Sequence, residues 1–312
     1  NLFCKLLKTI TFEKNIKMKK LFITTILLLV TVLTNAQLII NTTQTPSQIV
    51  QNTLIGTGVS VSNIKFNGVS NPLTAKDQIS SFSTGVNPTN IGMNQGVILA
   101  TGKATAALGP NNSNRYTNQT TTPYTGDVDL AQLSTMSVAN NAVLEFDFIP
   151  ASQNISFNFV FASEEYPEYS TSPFNDVVGV FLSGPGIAGP FSLGAKNIAT
   201  LPTSATSSIF VSLNNLNNGT TNVGPCVNCN YYINNIVNAQ STIQYDGFST
   251  EIIASSPVQS GQTYHIKFAI ANVADNLFDS ALFLKANSFR STSLGTTSFE
   301  NEKFSIFPNP AK

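Results

Sequence analysis

The chain has 312 residues, 42% hydrophobic and only 10% charged, with 16 Lys+Arg against 16 Asp+Glu. That much apolar content excludes a disordered chain. With no basic cluster, the chain lacks the electrostatic footprint for nucleic acid and the polybasic patch that holds proteins on anionic lipid. The neutrality is uneven. Lys5, Lys8, Lys14, Lys17, Lys19, Lys20 and Glu13 all precede residue 37, so the remainder carries ten basic and 15 acidic side chains, a net charge of −5.

Residues 1–17 (NLFCKLLKTITFEKNIK) lack an initiating Met and read as upstream translated sequence, Cys4 included. Met18 to Ala36 (residues 18–36) reads as a secretory signal peptide. Lys19 and Lys20 form a positive start, Leu21 to Leu33 is apolar apart from threonines, and Thr34-Asn35-Ala36 ends on a small residue. The apolar run is shorter than the about 20 residues that a membrane-spanning helix needs, and no stop-transfer charges follow. Cleavage, export and no stable membrane span are therefore expected.

Thr45 to Leu54 reads as a short helix. Thr45 is placed to cap it, Pro46 suits the first helical position, and Ile49, Val50, Thr53 and Leu54 share a face. Beyond it the period becomes two. Val59 to Phe66 is a strand closed by Asn67-Gly68, and Gly96 to Ala100 is a strand closed by Thr101-Gly102. The segment from Gly96 to Lys103 has five residues between its glycines and Ala104 where a phosphate loop needs Ser or Thr, so it reads as strand and turn. Asn111 to Thr125 is a long Asn/Thr-rich loop.

Val143 to Ile149 alternates Leu144, Phe146 and Phe148 with Glu145 and Asp147. Ile155 to Phe161 sets Ile155, Phe157, Phe159 and Phe161 on one face. This is the pattern of half-buried antiparallel strands. Val177 to Leu182, Ile209 to Leu213, Thr250 to Ala254, Tyr264 to Ile270 and Ala281 to Ala286 read as further strands, with His265 and Lys267 facing out. Many short strands with Gly/Pro/Asn turns predict an all-β protein, an antiparallel β-sandwich (jelly-roll-like) with a short N-terminal helix. A polar linker follows at 291–303. The segment 304–312 (FSIFPNPAK) begins another strand, so the sequence reads as truncated at its C-terminus.

Cys226 and Cys229 stand in GPCVNCN. A zinc site needs about four ligands, and the only histidine is His265. A thioredoxin-like centre needs a strand-to-helix setting. In an oxidising compartment a loop-stapling disulfide is the expected state. His265, mid-strand beside Lys267 and without a nucleophile motif, reads as a solvated histidine and not as a triad base.

The chemistry-bearing constellation is acidic. Glu164, Glu165 and Glu168 crowd the loop that leaves the 155–161 strand. Asp176 precedes the next strand, and Asp275 and Asp279 flank a later junction with Asn272. Carboxylates and Asn carbonyls on loops are the hard oxygen ligands that calcium takes, about six to eight of them. Glu164, Glu165, Asp176, Asp275 and Asp279 are thus candidate calcium ligands. They read equally as solvated loop acids and turn caps, since no EF-hand spacing is present. A glycosidase pair, Glu164 or Glu165 with Asp176 or Asp279, would need carboxyls roughly 5–9.5 Å apart across a sugar cleft. No Trp is available to line such a cleft, only Tyr166, Tyr169, Tyr231 and Tyr232.

GVILATG (96–102), GDVDLAQLS (126–134), AVLEFDFIP (142–150), FNFVFASEEYPEY (157–169), FNDVVGVFLSGPGI (174–187), YDGFST (245–250), TYHIKFAIANVAD (263–275) and FDSALFLKANSF (278–289) occur in that order. Together they resemble the choice-of-anchor L domain. The resemblance implies one domain over 37–290 on a secreted or surface protein, with no catalytic residues to carry over. FSIFPNPAK resembles the opening of a type IX secretion C-terminal sorting domain. That implies, for the full-length protein, the type IX secretion machinery as partner and the outer-membrane surface of a Gram-negative bacterium, or the medium, as destination. The function expected is a non-enzymatic module for adhesion or carbohydrate binding, calcium-dependent if the acids hold an ion, with extracellular glycans or surface proteins as partners. An extracellular glycan hydrolase and a structural spacer are the alternatives.

Overall fold

The computed structural model describes Lys19 and residues 38–85, 89–202, 208–219, 226–236 and 241–292. The expected upstream segment 1–17, the signal peptide at 18–36 apart from Lys19, most of the linker at 291–303 and the sorting-domain start at 304–312 lie outside the described residues. Among those described, no helix is long and apolar enough to cross a membrane.

The strands run in chain order as β1 (Leu38–Asn41), β2 (Val59–Phe66), β3 (Val69–Ser70), β4 (Ile79–Thr84), β5 (Gln95–Ala100), β6 (Val138–Pro150), β7 (Asn154–Ser163), β8 (Val177–Ser183), β9 (Lys196–Asn197), β10 (Thr200–Pro202), β11 (Ser208–Phe210), β12 (Tyr232–Asn234), β13 (Gly247–Ser249), β14 (Ile252–Pro257), β15 (Tyr264–Val273) and β16 (Ser280–Lys285). They form two antiparallel sheets. The larger has the order β1-β4-β5-β16-β7-β13-β12, with β14 also on β7. The smaller is β3-β2-β6-β15-β8-β9, and β10 and β11 pair separately. The short helix starts where its signals lie. Thr45 Oγ1 accepts from Gln48 N–H at 3.2 Å, Gln48 Oε1 accepts from Thr45 N–H at 2.9 Å, and the Pro46–Ile49 turn runs on into a wider turn, Val50–Leu54.

The sheets face each other across an aromatic core. Phe146 stacks on Phe268 at 5.9 Å and Phe148 on Tyr264 at 5.6 Å, both within the smaller sheet. Phe157 of the larger sheet meets Phe268 edge-on at 5.1 Å and so joins the layers. Phe289, just past the last strand, sits edge-on to Phe146 at 5.3 Å and to Phe148 at 5.1 Å. Such edge-to-face contacts add stability beyond the area they bury. The β-sandwich predicted from alternation is the architecture observed.

Four sequence expectations need correction. The half-burial expected of the 155–161 strand holds only for its first part, where Ser156 and Asn158 are partly exposed. Val160 and Ala162 on the second face of β7 are fully enclosed, as is all of β8. Polar loops fold back over both outer faces. Ile91, Met93, Ala104 and Ile243 cover the larger sheet, and Leu130, Ala195 and Phe191 cover the smaller. Leu213 does not end a strand. Ser212 Oγ caps a helical turn, Leu213–Leu216, after β11 has stopped at Phe210. The strand expected at Thr250–Ala254 begins two residues later, as β14 from Ile252, and runs on to Pro257.

The fourth concerns His265 and Lys267, which are not freely solvated. Lys267 is 8% exposed, and its Nζ donates to Asp127 Oδ2 at 2.7 Å and Asp129 Oδ2 at 2.6 Å. His265 is half-buried, with Nδ1 2.8 Å from Asp147 Oδ1 and Nε2 3.2 Å from Glu145 Oε2. The cause is register. β15 pairs with β6 so that His265 lies opposite Asp147 and Lys267 opposite Glu145, while the 127–130 turn closes over them.

Candidate functional site

The acids sit where the chain crosses between the sheets. The β7–β8 connection carries Glu164, Glu165 and Asp176 from the larger sheet to the smaller, and the β15–β16 connection carries Asp275 and Asp279 back again. The two links are tied together. Glu164 N–H donates to the Asp279 carbonyl at 3.1 Å, and Asp176 accepts from Val273 N–H at 2.9 Å and from the Ser280 hydroxyl at 2.5 Å. All five candidate residues therefore lie at one end of the sandwich. Glu164 and Glu165 are each 1% exposed, Asp176 and Asp279 are buried, and Asp275 is half-buried. They are not the solvated loop acids that the sequence also allowed.

Sequence reasoning missed Asp246. It is fully buried just before β13, and its Oδ1 accepts from Asn111 Nδ2 at 2.7 Å, while Gln244 Nε2 donates to Asn111 Oδ1 at 3.2 Å. Asp-Gly reads as a turn, and nothing in its spacing links it to residue 164. The only available signal was a carboxylate between Tyr245 and Phe248, both core residues. The long Asn/Thr loop also supplies the Asn118 N–H, which donates to Asp279 Oδ2 at 2.7 Å. Gly102, read as a plain turn residue, has a second role. A Cβ there would stand 2.3 Å from Asp279 Oδ2, so only glycine lets that carboxylate in.

Burial dominates the electrostatics. It pushes the Glu164 carboxyl up to about 10, with the Asp246 charge next and the Asp279 charge adding. The Tyr116 N–H and the Gln244 amide, near it but outside hydrogen-bond geometry, pull the other way. Burial raises both Glu165 and Asp176; the Ser280 hydroxyl and Val273 N–H oppose it at Asp176, and nearby acids, Asp275 among them, add to the rise at both. Burial raises Asp246 to about 7 against the Asn111 hydrogen bond, and Asp279 to about 6 against the Asn118 N–H. Both Glu164 oxygens, Glu165 Oε2, Asp246 Oδ2, Asp279 Oδ1, Asn272 Oδ1 and the Tyr245 hydroxyl have no hydrogen-bond partner. Buried oxygens of this kind need a proton, a water or a cation. Among the described residues no three acidic, His or Cys side chains are already assembled at metal-ligand spacing about one point.

Half-buried aromatics form the rim. Tyr169 lies 5.4 Å from Phe174 and 5.2 Å from Phe278. Thr171, Ala274 and Phe278 in the same two connections have positive φ (70°, 74° and 51°), a region that side chains other than Asn and Asp rarely enter. Of the tyrosines named as a platform, Tyr166 is fully buried and its hydroxyl donates to the Leu213 carbonyl at 2.7 Å. The structure pairs Cys226 with Cys229.

No curated protein matches the chain in sequence. A solved structure described as a non-crystalline cellulose specific carbohydrate-binding module, CBM28, overlaps 64% of this chain and 77% of its own at 10% identity. Its TM-score of 0.26 is too low to argue from. The family model of the choice-of-anchor L domain matches residues 37–290, from before β1 to just past Phe289, and the chain belongs to that family.

Proposed function

We propose that this choice-of-anchor L protein, a cell-surface or secreted β-sandwich, is a non-enzymatic binding module that takes extracellular glycans at its acidic end in a calcium-dependent manner. The observation that carries the reading is the set of buried carboxylates with unpartnered oxygens at the two sheet crossings. Calcium accepts irregular all-oxygen sites and would neutralise acids that otherwise hold protons at a cost. Tyr169, Phe174 and Phe278, on the same connections, offer rings with an apolar body to the C–H faces of sugars. Delivery by the signal peptide at 18–36 and a type IX sorting domain opening at 304–312 belongs to the same proposal.

A hydrolase built on Glu164 or Glu165 has less support, because a glycosidic bond has no path to side chains 1% exposed. The test is a glycan array probed in calcium and in EGTA, beside thermal melting under both conditions. Calcium-dependent glycan binding weakened by Tyr169→Ala, with a higher Tm in calcium, is expected. Equal melting midpoints and a silent array would favour the spacer reading instead.

A further inference from the structure

A cavity of about 340 Å³ opens between Thr42, Lys76, Asp77, Lys103, Thr105 and Thr121, and none of the acids of the candidate site lines it. Small-ligand sites occupy about 300–1,000 Å³. Its walls are fixed by Asp77. The Thr120 hydroxyl donates to Asp77 Oδ1 at 2.7 Å, and the Thr121 N–H and hydroxyl each donate to Oδ2 at 2.8 Å. The Asp77 carbonyl accepts from Ala104 N–H at 2.7 Å, and the Asn118 carbonyl accepts from Lys103 N–H at 2.7 Å. One residue thus ties three wall segments together, and both its carboxylate oxygens are engaged by the loop. The two lysines have no such partner. The ion pairs among the described residues take up His265, Lys267 and Lys285, and none reaches Lys76 or Lys103. The Lys103 charge acts on Asp77 without an ion pair forming. Both lysines are half-buried, in a chain that carries a net charge of −5 beyond residue 36.

We propose that this cavity binds the anionic unit of an acidic glycan, with the sugar's carboxylate or sulfate ester held between Lys76 and Lys103. An ammonium group donates up to three hydrogen bonds and accepts none, and its bonds to an anion are stronger than those between neutral groups. Thr42 and Thr105 bring hydroxyls, which both donate and accept as sugar hydroxyls require. No aromatic side chain lines the cavity, so a neutral sugar finds no ring to stack on and charge must carry recognition. A bare inorganic anion would leave most of the space unfilled. The site uses no calcium and shares no residue with the glycan site proposed above, so either can fail alone.

The full chain is titrated by calorimetry in EGTA with a galacturonate oligomer, a sulfated galactose oligomer, an uncharged galactose oligomer and inorganic sulfate. At least one anionic oligomer should bind, and which one does identifies the group recognised. The uncharged oligomer and inorganic sulfate should bind at least about tenfold more weakly. Lys76→Gln and Lys103→Gln should each weaken binding about tenfold, and added salt should weaken it further. Ala75→Phe, checked for native circular dichroism, fills the cavity while keeping both charges and should abolish binding. Lys196→Gln removes the same charge outside the cavity and should change affinity by less than about twofold. Failure of both anionic oligomers to bind would overturn the proposal. So would equal binding of the uncharged oligomer or of inorganic sulfate, or equal losses in Lys196→Gln and Lys103→Gln. Binding lost in Tyr169→Ala but kept in Lys103→Gln would overturn it too, and would leave the aromatic rim as the glycan site.

Discussion

Replacing Glu164 by Gln should stabilise the calcium-free protein, and by an amount set by pH. The unfolded Glu164 carboxyl ionises near its ordinary value of 4.5, while burial in the folded protein pushes it up to about 10. At pH 7 folding must therefore take up a proton. A folded value raised in this way leaves stability complete below 4.5 and removes it progressively as pH rises toward about 10. At about 1.4 kcal/mol per pH unit, the loss is about 3 kcal/mol at pH 7 and under about 1 kcal/mol at pH 5. Gln has the same shape and no proton to acquire. In urea titrations with EGTA, Glu164→Gln should exceed the wild type by about 3 kcal/mol at pH 7, with the gap nearly closed at pH 5. Saturating calcium should reverse the order, because only the wild type gains the binding energy of an ionised ligand. Equal stability of the two proteins in EGTA at both pH values, or a less stable variant, would refute the reasoning.

Other substitutions test the supporting structure. Lys267→Met strands Asp127 and Asp129 as unpaired buried acids and should cost about 3–5 kcal/mol in urea titrations. Adding Asp127→Asn and Asp129→Asn should restore most of that loss. Phe157→Ala opens a cavity where the sheets meet and should cost about 3–5 kcal/mol by the same assay. The hydrogen bond from Glu145, and then that from Asp147, hold the His265 pKa above its ordinary 6.5, against burial. Its contribution is then complete below pH 6.5 and lost as pH rises through the raised value. His265→Asn should destabilise by at most about 1 kcal/mol at pH 6, because the pair is partly solvated, and by less at pH 9.

The fold was legible where one face of a strand decides its sequence. Leu144, Phe146, Phe148 and the 155–161 stripe announce inward faces, and Thr45 with Pro46 announces the helix start. The second layers over the sheets were not legible, because residues such as Asn111 and Thr120 look like loop surface while being buried through hydrogen bonds to distant partners. At the candidate site, the acids of the two crossings were visible as clusters in the sequence. Their burial was not, nor was the addition of Asp246, since both depend on which connections meet in space. Local alternation is silent on that. His265 failed for a related reason. Its outward direction was correct, but the carboxylates opposite it are set by strand register more than a hundred residues away.

The placement of the last strands governs how the domain can form. β16 lies in the larger sheet between β5 and β7, β15 lies in the smaller between β6 and β8, and Phe289 closes the aromatic core between them. A chain emerging from its N-terminus thus holds flanking strands with no centre until almost its whole length is available. Contacts this distant in sequence make folding slow. The domain cannot lock early: its final strands complete both sheets and seat the core, so residues 38–263 alone lack the strand at the middle of each sheet.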